Sequence, residues 1–470
     1  MNYVDRVRLS PLPFVWALGW VIALGGAFYA IPWFVVAYDS LSEANHFDWP
    51  ETIANAFGPD VEYRPLFHLA LKASYQMFGM HLWPYQTLVL LQFACVLALV
   101  IWLCRPAGMH RAAAACIALS CIAGLHTSRI LFGFWPVNAG SFVLMLLLLA
   151  IAIGVDARAR SIRWIYFPIV LIALLSLEWG VMVVAVLPVL WFMKAPAVDR
   201  RALAWAFAGV AAYAAIRLVF GLVVAPPSFH TESGFGFSQL SPVQLQARFG
   251  DSPWLFRLYN VGATFLTVVA SEPRDGIFGF TAALLDGNVP YWRWVHVASS
   301  LLTTAVVATG LVFFRHMSPR DRLLCAAGLA LLVFGSAFGV PYTRDRVGMM
   351  AGVGYGLLVY VALVALLARL PQRGWRRWAT VSCVAVIGIA WTVRDAEAYL
   401  QLRDTAWDFR QELENELGLT NAQRVQRDPR QRTWEYRLRR PTHNRVRAVL
   451  QNAAVEDTAR IDPERLEIVD

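Results

Sequence analysis

The chain has 470 residues, 58% of them apolar and only 16% charged, with a mean hydropathy of +0.50 and a net charge of +9. Those proportions exclude an ordinary soluble domain. They predict an all-α polytopic membrane protein, because each crossing needs roughly 20 apolar residues whose backbone amides are satisfied within their own helix.

Eleven stretches read as transmembrane helices: 12–37, 84–104, 112–126, 134–155, 164–177, 179–193, 202–225, 294–314, 323–340, 347–368 and 378–393. The first is too long for a signal-peptide core and lacks a small-residue cleavage site, so it is expected to stay as an anchor. Strict alternation puts six basic groups on one side, from Arg6 and Arg8 through Arg105, Arg158, Lys194 and Arg315 to Arg376 and Arg377. By the positive-inside rule that side is the cytoplasm, so the N-terminus is expected inside and the C-terminus outside. The same rule splits the apolar run 164–193 into a hairpin with Glu178 at its outer tip. The six cysteines lie in or beside apolar spans without metal-ligand spacing, and read as packing residues.

The first outer loop, 38–83, is acidic. Asp39, Glu43, Asp48, Glu51, Asp60 and Glu62 precede its first basic residue, Arg64. Residues 64–82 suit a helix lying along the outer interface, since Arg64, His68 and Lys72 interrupt a semi-apolar run. The second large outer loop, 226–293, contains an apolar segment at 259–270 that reads as either re-entrant or surface-bound. If it crossed alone, every later span would invert. Composition changes at Arg394, and 394–470 reads as a soluble extracytoplasmic tail. It opens with an amphipathic helix over 395–417, packs nine arginines into 424–447, and ends acidic.

A carboxylate can act as general base where it reaches the proton of an attacking hydroxyl. Asp48, in Asn45-His46-Phe47-Asp48-Trp49, is the first candidate, with aromatic neighbours able to stack on a sugar; Asp39, at the mouth of the first span, is the second. Arginines bordering spans suit phosphate through bidentate hydrogen bonds, and Arg64, Arg129, Arg217, Arg344 and Arg346 all fall towards the outer half. Arg217 stands between Ile216 and Leu218 within a span, where snorkelling to headgroups competes with a ligand contact. Trp49, Tyr63, His68 and Glu178 are candidate sugar or acceptor contacts. For any single acidic residue here, plain solvation is the competing reading.

The run Asp48-Trp49, Tyr63-Arg64-Pro65-Leu66, Phe78-Gly79-Met80 and Pro84-Tyr85 resembles the first outer loop of the GT-C superfamily of polytopic, lipid-dependent glycosyltransferases, which includes the protein O-mannosyltransferases and their bacterial relatives. His126 with Trp135, Leu177-Glu178, and Tyr342 to Arg346 leading into Gly352 to Gly356 are similar to later blocks. The resemblance covers most of 12–368, and the tail lies outside it. It departs in two places: Phe47 precedes Asp48 where many relatives carry a second acid, and Leu177 stands where a Lys commonly precedes the hairpin Glu.

The resemblance implies transfer of a sugar from a polyprenyl-phosphate carrier to a hydroxyl on a glycan, lipid or protein acceptor, with inversion, on the outer face of a bacterial inner membrane. Asp48 would deprotonate the acceptor and the arginines would hold the departing phosphate. No nucleic-acid partner is implied, no cofactor is required by these residues, and a divalent metal stays open. Three alternatives remain: an O-antigen ligase or polymerase using a pyrophosphate-linked donor, with His230, Arg248 and Arg257 in the second outer loop; a transporter or flippase; and a non-catalytic scaffold.

Overall fold

The computed structural model describes residues 9–30, 47–57, 65–78, 82–124, 136–154, 160–176, 180–219, 253–270, 276–337, 348–369 and 374–416, with the short pairs 461–462 and 467–468. Among them the regular structure is helical apart from those pairs, which form a two-residue antiparallel ladder.

In chain order the helices are α1 (Leu12–Ala30), α2 (Trp49–Ala56), α3 (Pro65–Phe78), α4 (Leu82–Cys104), α5 (Met109–Ile122), α6 (Pro136–Gly154), α7 (Tyr166–Ser176) and α8 (Gly180–Phe192). They continue as α9 (Arg200–Val219), α10 (Pro253–Val269), α11 (Gly276–Leu285), α12 (Tyr291–Leu311), α13 (Pro319–Ala337), α14 (Met349–Leu367) and α15 (Trp375–Glu416). Four contain stretches long and apolar enough to cross a bilayer: Trp83–Cys104, Arg200–Val219, Arg293–Leu311 and Met349–Leu367. Shorter apolar helices accompany them, and broad apolar surface faces outward, as at Val15, Leu18 and Ile22 on α1 and Val386, Ile389 and Val393 on α15. Water would not tolerate that much contiguous apolar surface, and it places the chain in a lipid bilayer. The run 164–193 does divide into two helices, α7 and α8, on either side of residues 177–179.

The core is built around α14, which is buried almost throughout. It crosses α13 at a glycine contact: a Cβ on Gly354 would fall 2.5 Å from the Gly328 carbonyl oxygen, and one on Gly328 would fall 2.8 Å from that of Gly354. Small residues allow backbones to approach this closely where lipid supplies no hydrophobic drive between helices. At one end α14 is tied to α4, α5 and α13. Arg111 grips Asp321 through both terminal nitrogens, at 3.0 and 2.7 Å, and also reaches the Tyr360 hydroxyl, which donates to the Cys104 carbonyl at 2.7 Å.

Contacts along the helix pairs give their relative senses. α5 and α15 run parallel, with Ile117 beside Gly388 and Gly124 beside Asp395. α12 is antiparallel to α15, since Thr303 meets Trp391 while Ser299 and Ser300 meet Arg394. α13 and α14 are antiparallel, with Gly328 against Leu358 and Gly335 against Ala351. α14 is also antiparallel to α5, with Ile122 at Gly356 and Arg111 at Tyr360.

The helix α15 runs straight through Arg394, where the composition turns polar. It continues unbroken for 42 residues, a length of about 63 Å or twice the hydrocarbon thickness of a bilayer. The reason is local: Arg394 and Asp395, where the composition turns polar, are both buried by neighbouring helices rather than released to solvent.

Candidate functional site

The first loop contributes a small two-helix platform. Asp48 caps α2: its Oδ1 accepts from the Glu51 amide at 2.8 Å, while its own amide donates to Glu51 Oε2 at 3.2 Å, forming a capping box. Pro50 in the first turn favours the same start, since its missing N–H would be an orphan there. Asp48 is exposed, and its Oδ2 accepts no hydrogen bond among the described residues. The carboxylate is therefore held by one oxygen and presented by the other.

α2 is bolted to α3 at two points. The Trp49 indole donates to Gln76 Oε1 at 2.9 Å, and the buried Lys72 ammonium donates to the Phe47 carbonyl just before the cap. Trp49 keeps about a third of its surface exposed, at 37%. His68 lies on the same α3, its ring edge-on to Phe67 at 5.3 Å. α3 packs in turn on α6 and α7. The structure thus brings Asp48 and Trp49 together and puts His68 on the helix beneath them.

Arg217 stands apart from this platform, in the last turn of α9. There it is half-buried, with Nη1 3.4 Å from the hydroxyl of Tyr213 one turn back. A cation at a helix C-terminus is favoured by the dipole whether or not a ligand is present. Asp39, Tyr63, Arg64, Arg129, Glu178, Arg344 and Arg346 lie outside the described residues.

A second polar cluster, between α12 and α15, is one that inspection of the loops overlooks. Arg394 is 1% exposed; its Nη1 reaches Ser299 Oγ at 2.8 Å, Ser300 Oγ at 2.9 Å and the His296 carbonyl at 3.2 Å, and its guanidinium lies 4.0 Å over the Trp391 ring. One turn C-terminal to Arg394 along α15, His296 Nε2 meets Glu397 Oε2 at 2.7 Å. One turn N-terminal to it, the Trp391 indole donates to Thr303 at 3.0 Å. Thr304, the next residue, donates to the Val269 carbonyl at the end of α10 and pairs with the Tyr355 hydroxyl.

The signal for this cluster was present in the chain: His296, Ser299, Ser300 and Thr303 fall at helical spacing and form one polar stripe on an otherwise apolar helix. Chemically the stripe satisfies a buried cation with hydroxyls, a carbonyl and a π face, which locks α12 to α15. Asp395, beside it, points elsewhere. It is fully buried between α15 and α5, beyond the apolar run 378–393, and burial pushes its carboxyl well above the usual carboxylate range against the pull of Arg394. Among the described residues no group of three or more His, Cys, Asp or Glu converges as a metal site.

No protein-family model matches the chain, and neither a curated protein nor a solved structure matches it.

Proposed function

We propose that the chain is a membrane glycosyltransferase of the GT-C kind, moving a sugar from a polyprenyl-phosphate carrier to a hydroxyl acceptor on the extracytoplasmic face. The observation that carries this reading is the posture of Asp48: exposed, fixed through one oxygen by its own helix, and next to a partly exposed indole. A general base needs an oxygen free to take the acceptor proton and a mount that holds it still, and the capping box leaves Oδ2 for the first while supplying the second. Trp49 would meet the sugar ring, with His68 on the supporting helix. Arg217, together with Arg64, Arg129, Arg344 and Arg346, would stabilise the phosphate as the glycosidic bond breaks.

Eleven spans remain the topology proposed with it, and the helix senses support that parity. α5 and α15 correspond to the third and eleventh spans and run parallel; α5 and α14, the third and tenth, run antiparallel. A lone crossing by α10 would reverse both relations. On this topology the platform and the α12–α15 cluster share the outer half, the membrane is a bacterial inner membrane, and the tail is periplasmic.

Transfer itself is the test. Purified protein in lipid, given a panel of radiolabelled polyprenyl-phosphate sugars, should label an acceptor fraction with inverted anomeric configuration. Labelling only from pyrophosphate-linked glycans would favour a ligase, and intact protein inert with every donor would overturn the enzymatic reading. A reporter fused after Asp470 should behave as extracytoplasmic; a cytoplasmic signal would remove the eleven-span topology.

A further inference from the structure

The contact between α5 and α15 holds a carboxyl that the proposed transfer does not use. Asp395 is 0% exposed, and neither of its oxygens has a hydrogen-bond partner among the described residues. It fills a notch left by a missing side chain: a Cβ on Gly124 would fall 1.4 Å from Oδ1 and 2.5 Å from Cγ. The neighbouring helices bring few groups able to compensate a charge there. α5 presents the buried Cys121 thiol, α14 the buried Tyr355, and α1 the Trp20 ring, which packs on Tyr399 of α15. On α12, His296 is engaged with Glu397, and Arg394 is turned towards the same helix. An ionised carboxylate in such a place loses its hydration without a replacement, whereas the neutral acid loses far less.

We propose that Asp395 is a proton-binding site, a carboxylic acid held neutral in the α5–α15 seam, open to modification by apolar carbodiimides, and that losing its proton weakens the packing of α15 on α5. The modification balances without a further reagent. The acid adds across one C=N bond of the carbodiimide, its oxygen bonding to the central carbon and its proton passing to nitrogen. The acyl group then migrates from oxygen to nitrogen, leaving a stable N-acylurea that keeps the whole reagent. An ionised carboxylate has no proton to give, so the reaction reports the protonated form.

The experiment uses the full chain in phosphatidylcholine vesicles, treated with dicyclohexylcarbodiimide between pH 5 and pH 9 and read by peptide mass spectrometry. The expected result is one reagent mass on the buried Asp395 peptide, undiminished from pH 5 to pH 7. Label at Asp395 that falls about tenfold or more between pH 5 and pH 7 would overturn the proposal, as would no label there at any pH while other carboxylates of the chain react.

Thermal melts supply the second arm. A folded-state affinity for the proton above that of the unfolded chain makes stability greatest at low pH and erodes it as pH climbs above the unfolded value. The melting temperature of the wild type should therefore fall from pH 5 to pH 9 relative to Asp395→Asn. A wild type that gains on the variant as pH rises would contradict the site, and the labelling arm stands if the variant does not fold.

Discussion

Arg394 and Asp395 are adjacent, oppositely charged and both buried, yet they engage different helices: Arg394 Nη1 lies 2.8 Å from Ser299 Oγ on α12, while the Asp395 carboxylate fills the notch at Gly124 on α5. Successive residues on a helix point about 100° apart, so neighbours in sequence do not face each other and cannot simply neutralise one another. The cation is satisfied by hydroxyls, a carbonyl and an indole. Among the described residues the acid has no such set, and a proton is the simplest partner left to it. Together they carry α15 from an apolar run into a polar one without a break.

Replacing Arg394 with Met should keep much of the volume and remove the hydrogen bonds to α12. The expected loss is about 1.5–3 kcal/mol, the range for hydrogen bonds to a charged group, read as a lower melting temperature in detergent. Ser300→Ala should cost clearly less in the Arg394→Met background than in the wild type, because the two residues share one contact. Additive effects would show that the bond contributes nothing measurable.

Asp321 accepts from Arg111 at two points and from Ser318 Oγ at 2.6 Å, and it is 3% exposed. Asp321→Ala leaves the guanidinium without its acid, which should cost about 2–4 kcal/mol, somewhat below the range for breaking a fully buried pair because Arg111 is partly exposed. Arg111→Lys should lose a substantial part of the same stability, since a single ammonium cannot reproduce the two-pronged grip. Melts of the two variants decide it. A stable Ala variant would reduce the clamp to an incidental contact.

At the α13–α14 crossing, Gly354→Val should sharply reduce the folded fraction recovered on size-exclusion chromatography, because the added carbons meet backbone rather than a movable side chain. Gly19→Ala is the control, since a Cβ there meets nothing within 4 Å. Equal recovery of both would mean that the helices separate freely at this point.

The helical, membrane-bound character was legible because hydropathy reports backbone burial in lipid directly, and four of the expected spans overlap described helices long and apolar enough to cross a bilayer. The continuity of α15 was not legible, although helices were expected on both sides of Arg394: composition marks where charge begins, but a helix ends only where caps or packing end it, and Arg394 is packed. Asp48 shows the converse. Its spacing to Glu51, with Pro50 between, already carries a cap signature. A search for catalytic acids passes over it because a cap and a base use the same residue type. The polar stripe on α12 was hidden because serine and threonine scarcely lower the hydropathy of a span.

Asp48 is where structure and proposed chemistry meet, and the choice of variant separates them. Asn caps helices about as well as Asp, so Asp48→Asn should keep α2 and the Trp49 platform while removing the base; Asp48→Ala should lose both, with a cap cost of about 1 kcal/mol. The most direct measurement is therefore transfer of radiolabelled sugar from polyprenyl-phosphate donors by the purified protein in lipid, with wild type beside Asp48→Asn and Asp39→Asn. The account predicts transfer by the wild type and a loss of about 10²- to 10⁴-fold for Asp48→Asn at unchanged melting temperature, with Asp39→Asn close to wild type. Full transfer by Asp48→Asn would contradict it, and loss at Asp39 alone would move the base to the mouth of the first helix.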